Sequence, residues 1–252
     1  MIDYENIFDK LKQISGKEFA NINILEEQID ISLQMEYFEL SKEIKKDINK
    51  EEIISKKDNL FNTDIAIEEK KKLLIQLASI EDVKAYRTIE KYLSNPAKEL
   101  KNWAILAFQE SRMILQSSLL DENQVFISTG LGGKGTKLRY FIVIISNSSN
   151  SFTVVQKKII NSEFDFILKK RNGELEKIEF SDNISTILSL IPINVSVQEV
   201  FKNAIEECNK FGNFLKPDFL ITNVKVLTTK EIKTFLEKPK NSNVDIDTIE
   251  LN

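Results

Sequence analysis

A chain of 252 residues that is 42% hydrophobic and 29% charged can bury a core of its own, which excludes global disorder. A net charge of −4 and a pI near 5.3 exclude a protein that is basic over its whole surface. With no histidine and one cysteine, Ser-His-Asp and Cys-His catalysis, His-bound metal sites and an intrachain disulfide framework are excluded as well.

Any catalysis would have to use carboxylates, lysine, tyrosine or a metal held by oxygen. No cofactor and no catalytic residue is implied. The opening Ile2-Asp3-Tyr4-Glu5 is acidic and lacks the basic start of a signal peptide. No apolar run approaches the ~20 residues that span a bilayer. The expectation is a cytoplasmic protein with no membrane partner.

In chain order, residues 4–14 read as a short amphipathic helix. A second helical pattern runs from about Ile24 to Ile48, with Leu25, Ile29, Leu33, Tyr37, Leu40 and Ile44 near helical spacing. Residues 49–63 read as a connection with a short helix. Helices follow over 65–79 (Leu73, Leu74, Leu77) and 83–93 (Val83, Tyr86, Ile89, Tyr92). Asn95-Pro96 then opens a third helix, reaching about Leu119 and buried along Leu100, Trp103, Ala104, Ala107 and Phe108.

After Asp121-Glu122 the period changes to that of strands. Residues 124–129 read as a strand, and Leu138–Ile145 as a central strand covered on both faces. Phe152–Ile160 reads as a third strand. Phe164–Lys170 and Glu174–Phe180 read as a hairpin turning at Asn172-Gly173. Residues 183–191 are ambiguous. Ser196-Val-Gln-Glu199 is a capping box opening a helix with Val200, Phe201, Ala204, Ile205 and Cys208 on its buried stripe. Residues 219–227 read as a strand, and Thr228-Thr-Lys-Glu231 caps a last helix ending before Pro239.

The expected class is therefore α+β: a helical N-terminal half, 1–122, packed with a C-terminal mixed or antiparallel sheet flanked by helices, 123–239. A polar, flexible tail is expected over 240–252.

The pieces Leu73-Leu-Ile-Gln-Leu77, Glu81-Asp-Val-Lys-Ala85, Leu93-Ser-Asn-Pro96 and Leu100-Lys-Asn-Trp-Ala-Ile-Leu-Ala-Phe108 resemble HEAT-like repeats over about residues 65–119. The resemblance implies a helical platform that binds a protein partner.

Gly130-Leu-Gly-Gly-Lys-Gly135 holds four of the seven glycines of the chain. It matches G-x-G-x-x-G in form, but a strand follows it where the dinucleotide-binding motif requires a helix. Its physics still points to anions, because closely spaced glycines let backbone N–H groups converge, with Lys134, Lys137 and Arg139 alongside. The candidate anion-binding residues are Gly130, Gly132, Gly133, Lys134, Gly135, Lys137 and Arg139. The plain alternative is a simple hairpin loop.

Charge supports the same region. Residues 124–173 carry eight lysines and arginines against two carboxylates, on a chain that is acidic overall. The eight are Lys134, Lys137, Arg139, Lys157, Lys158, Lys169, Lys170 and Arg171. Gathered on one sheet edge, they would engage an anionic partner: nucleic acid, a phosphorylated ligand or an acidic protein. With only Phe and Tyr at scattered positions, the segment shows no stacking platform of the kind single-strand binders use. Glu163 and Asp165 would share one strand side, a pair that could hold Mg²⁺ or serve acid–base catalysis, or form the wet face of an amphipathic strand.

The leading reading is a non-catalytic interaction protein that uses the glycine-rich basic loop. Neutralising Lys134, Lys137 and Arg139 is then expected to weaken partner binding. The alternatives are an enzyme that uses the loop as a phosphate cradle, which requires a closed pocket beside Gly130–Gly135, and a structural subunit of a complex.

Overall fold

The computed structural model describes residues 22–120 and 124–237. The chain divides into two compact units. One holds Ile29–Phe126. The other holds Ile24–Gln28 together with Ile127–Glu237 of the described residues. The expected helix at 4–14 and tail at 240–252 lie outside the described residues.

The first unit is helical. The helical pattern starting at Ile24 begins as a helix only at Ile31. Ile22–Ile24 instead form strand β1, which pairs with β2, Val125–Ile127, in a two-stranded sheet. Asp30 sets the true start of helix α1, Ile31–Ile44, where its carboxylate accepts the Ser32 N–H at 2.8 Å. Helix α2, Lys50–Lys56, is capped by Asn49 and runs into a single 3-10 turn. Helices α3 (Ile67–Ala78), α4 (Val83–Leu93) and α5 (Lys101–Leu120) each pack against the other two. They coincide with the HEAT-like segment. Mutual packing of three helices is also the geometry of a plain bundle, and a repeat array needs at least three stacked copies.

Trp103 organises this core. Its indole N–H donates to the Lys71 carbonyl at 3.1 Å, and its ring meets Tyr37 edge-on at 5.2 Å. The buried Glu110 carboxylate accepts from the Tyr37 hydroxyl at 2.5 Å and from Ser41 at 3.1 Å, and pairs with Lys45 at 2.5 Å. Burial first, and the adjacent Glu110 charge second, raise the Tyr37 phenol well above its ordinary value, so it remains a donor.

The second unit is built on β4, Lys137–Ile145. Its run from Tyr140 to Ile145 is wholly buried, as a strand between neighbours and under two covered faces must be. β6 (Ile184–Pro192) pairs antiparallel with one side of β4, Ile142 opposite Ile187, and β5 (Glu174–Ser181) pairs with β6. β7 (Leu220–Thr222) pairs with the other side of β4, whose first residues also pair with β3, Gly133–Lys134.

Two sequence readings are corrected between β4 and β6. Phe152–Ile160 is not a strand, and Phe164–Lys170 is not one arm of a hairpin. Both belong to one helix, α6, Val154–Lys170. Thr153 starts it: its hydroxyl accepts the Gln156 N–H at 3.2 Å, and the Gln156 side chain accepts the Thr153 N–H at 2.9 Å. Ile160, Phe164, Ile167 and Leu168 then fall on the buried stripe. Asn172-Gly173 ends this helix. Asn172 sits at φ 56°, its N–H donates to the Lys169 carbonyl at 3.0 Å, and the Gly173 N–H reaches the Leu168 carbonyl at 2.7 Å, the paired bonds of a Schellman stop. The hairpin lies one strand later, where β5 turns into the previously ambiguous β6 through Asp182-Asn183, with Asp182 at φ 51°.

Helix α7, Val197–Asn209, starts at Ser196, whose hydroxyl accepts the Glu199 N–H at 3.4 Å. The chain order is thus strand, α6, strand, strand, α7, strand. In the sheet the last strand lies beside the first, followed by the third and then the second. This is the ferredoxin-like split βαβ arrangement. The strand expected over 219–227 is only β7. The rest leads into α8, Thr229–Glu237. Leu227 and Ile232 pack on Phe141, Val143 and Ile184, so α8 covers one sheet face.

Candidate functional site

The glycine-rich segment forms the approach to β4. Lys134 pairs with Lys137, and Gly135-Thr136 make the two-residue turn. Gly135 takes φ 59°, the conformation a type II′ turn needs at its first central position. Gly132 serves close approach. At φ 65°, a Cβ there would lie 2.4 Å from the Glu26 carbonyl oxygen and 2.5 Å from that of Glu27. At Gly133 a Cβ would meet the Lys137 carbonyl oxygen at 2.2 Å. These glycines let the hairpin press against residues 26–27 of its own unit.

The loop donors are met from within the chain. The Leu131 N–H donates to the Asn223 carbonyl at 2.9 Å and the Gly132 N–H to that of Thr129 at 3.2 Å. The Gly135 N–H donates to the Glu26 carboxylate at 2.9 Å. The three cations are also matched. Lys134 and Lys137 pair with Glu174 at 3.1 and 2.6 Å. Arg139 grips Glu176 with two donors, at 2.6 and 2.9 Å, and sends a third to the Leu131 carbonyl at 2.8 Å. Hydrogen bonds from Lys137, then Lys134, hold the Glu174 carboxyl below its ordinary value. The structure therefore brings Gly132, Gly133, Lys134, Gly135, Lys137 and Arg139 together, with Gly130 buried just before them, around carboxylates of the protein itself. The tip, 134–136, is exposed.

The other five cations of the 124–173 segment belong to α6 and its end, because that segment is a helix. Lys157 lies over the Phe180 ring at 5.4 Å, and Lys169 pairs with Asp165 at 2.7 Å. Lys158, Lys170 and Arg171 are exposed and meet no carboxylate at ion-pair distance among the described residues. Lys169, Lys170 and Arg171 suit a helix C-terminus, where the macrodipole favours positive charge. The dipole gives no such reason for Lys157 and Lys158 near the N-terminus. Only Asn172 and Gly173 separate Arg171 from Glu174, so the end of α6 and the basic hairpin share one edge of the unit.

The expected acidic pair is broken by the same change. On a helix, Glu163 and Asp165 point about 200° apart, and Asp165 is engaged by Lys169. Cys208 is buried on α7, and burial pushes its thiol up to about 12, with Glu163 adding to the effect. A hollow of about 300 Å³ lies beside Lys225, Lys230, Glu231, Thr234 and Phe235. Among the described residues, no group of three or more Cys, Asp or Glu side chains is placed to hold a metal, and no helix is long and apolar enough to cross a membrane.

No family model matches the chain, and no curated protein matches it. Two solved structures show partial likeness. One is a protein from Deinococcus radiodurans described as a transposase. It is 16% identical, the match covers 42% of this chain and 92% of that one, and the TM-score is 0.35. The other is a REP-associated tyrosine transposase bound to a REP hairpin. It is 10% identical, the match covers 38% of this chain and 61% of that one, and the TM-score is 0.31. This chain thus spans under two thirds of the second structure. Both scores fall below the level at which a shared fold or activity follows.

Proposed function

We propose that this chain is a non-catalytic interaction protein whose ferredoxin-like unit binds an anionic macromolecule, nucleic acid foremost, through the outer face of α6. The observation that carries this reading is the contrast in pairing. Within the most basic segment of an acidic chain, the hairpin cations are matched by Glu174 and Glu176, while Lys158, Lys170 and Arg171 have no carboxylate partner among the described residues. Unpaired surface cations release phosphate counterions when a polyanion docks, which gives affinity without sequence preference. The hairpin, at the same edge, is a secondary contact available when its carboxylates are displaced.

The phosphate-cradle enzyme is less well supported. A cradle needs N–H groups that converge on open space inside a pocket. Here Gly135 donates to Glu26, and residues 134–136 are an exposed tip.

The test is fluorescence anisotropy with a labelled oligonucleotide across a salt series, comparing the protein with K158Q/K170Q/R171Q. The expected result is weaker binding and a log–log salt slope shallower by about 2, near 0.7 for each of three lost single-strand phosphate contacts. An unchanged slope in the triple variant would remove α6 from the interface. A nuclease-resistant protein partner that is captured equally by both proteins would favour the structural-subunit reading.

A further inference from the structure

Phe166 is 63% exposed on α6. A single exposed phenylalanine needs no explanation. Its neighbours make this one different. At 100° per residue, Lys158, Ser162, Phe166, Lys169 and Lys170 fall within an arc of about 120° on the outer face. Lys158 and Lys170 lie about 18 Å apart along the helix axis, with the ring between them. The arc itself holds no carboxylate: Glu163 and Asp165 flank it on opposite sides, and Lys169 pairs with Asp165 at 2.7 Å. None of the ring–ring or cation–ring contacts among the described residues involves Phe166. Phe164, two residues earlier, is fully buried and meets Phe201 at 5.9 Å.

Resting on the proposed function, we infer that α6 is a single-strand platform. Phe166 stacks on an unpaired base, while Lys158 on one side and Lys170, with Arg171 at the helix end, on the other hold the flanking phosphates. The chemistry selects single strands over duplex. A convex helix face with a lone protruding ring can reach the π-face of an unpaired base, whereas duplex stacking hides that face. No donor–acceptor pattern on this arc reads base edges, so the platform tolerates sequence. The flanking cations favour nucleic acid over an uncharged aromatic ligand. The stripe could not be read from a strand, where Phe164 and Phe166 would share one side. On the helix they diverge, one into the core and one into solvent.

The test uses the full chain and two labelled probes of equal length, an oligo(dT) single strand and a mixed-sequence duplex, at one moderate salt concentration. F166A is expected to weaken single-strand binding about tenfold, the scale of one lost stacking contact, and to leave the salt slope and duplex binding unchanged. F166W is expected to restore affinity, with quenching of its added indole on binding. If F166A binds the single strand as the protein does while K158Q/K170Q/R171Q is impaired, the stacking inference is wrong and the charge reading stands. If the protein binds neither probe even at low salt, both fail together. Preference for the duplex also overturns the inference.

Discussion

The β3–β4 hairpin and helix α6 carry the same kind of charge and differ in what surrounds it. On the hairpin, Glu174 and Glu176 of β5 reach hydrogen-bond distance from Lys134, Lys137 and Arg139. On α6 the outer arc holds no carboxylate, Asp165 beside it is engaged by Lys169, and Ile160, Phe164, Ile167 and Leu168 are turned to the core. A count of positive charge along a segment does not separate the two. The separation comes from which strand lies across from which cation. A glycine cluster beside lysines is thus a weak sign of an anion site when a neighbouring strand can supply carboxylates.

The sharpest break in the comparison comes from the hairpin glycines. Gly132→Ala adds a Cβ where two carbonyl oxygens stand within 2.5 Å, at a φ of 65°. It is expected to cost about 2–4 kcal/mol, read as a lower midpoint in urea. If Gly132→Ala keeps full stability, the close approach is not what selects this glycine. Next, K134Q/K137Q/R139Q is expected to destabilise the protein by about 1–3 kcal/mol, because Glu176 and the Leu131 carbonyl lose Arg139. K158Q/K170Q/R171Q should stay within about 0.5 kcal/mol of the parent.

Glu174→Gln with Glu176→Gln inverts the experiment. Freed hairpin cations should add polyanion affinity and steepen the salt slope by about 1–2. No gain would show that the hairpin faces away from the partner. A smaller effect concerns pH. Glu174 is held below its ordinary value of 4.5, so its charge is complete above that value and is lost only as pH falls further. Polyanion affinity should therefore be flat from about pH 8 to about pH 5 and rise only in stronger acid. The Glu231 cap behaves in the same direction. Lys225 first, then the Thr228 N–H, lowers its carboxyl to about 2, so α8 should fray only as pH falls from about 4.5 toward 2. Loss of α8 ellipticity at pH 6 would contradict this.

The α+β class, the central strand and the capped helix after Ser196 were legible because each has a strong local sign: the apolar run Tyr140–Ile145, and the serine–glutamate spacing. The ferredoxin-like order was not, since it depends on α6. There, Val154, Val155, Ile159 and Ile160 lend a strand-like composition to a segment whose fate is settled by Thr153 and Gln156. The Thr-Val-Val-Gln spacing was present and outweighed by β-branched residues. Read as two strands, the segment parts Phe166 from Lys158 and makes Asn172-Gly173 a hairpin turn, where it is a helix stop. The pairing of Arg139 with Glu176 had no local sign, because 37 residues separate the partners and the register of β5 is irregular between Leu175 and Lys177.

The most direct measurement is a parallel salt titration of one single-stranded oligonucleotide against the protein, K134Q/K137Q/R139Q and K158Q/K170Q/R171Q, each first shown to be folded at the assay temperature. If α6 carries the interface, the helix variant loses about 2 from the slope and the hairpin variant loses less than 1. The reverse ranking, with the hairpin variant losing the larger part, would contradict the assignment and return the site to the glycine-rich loop.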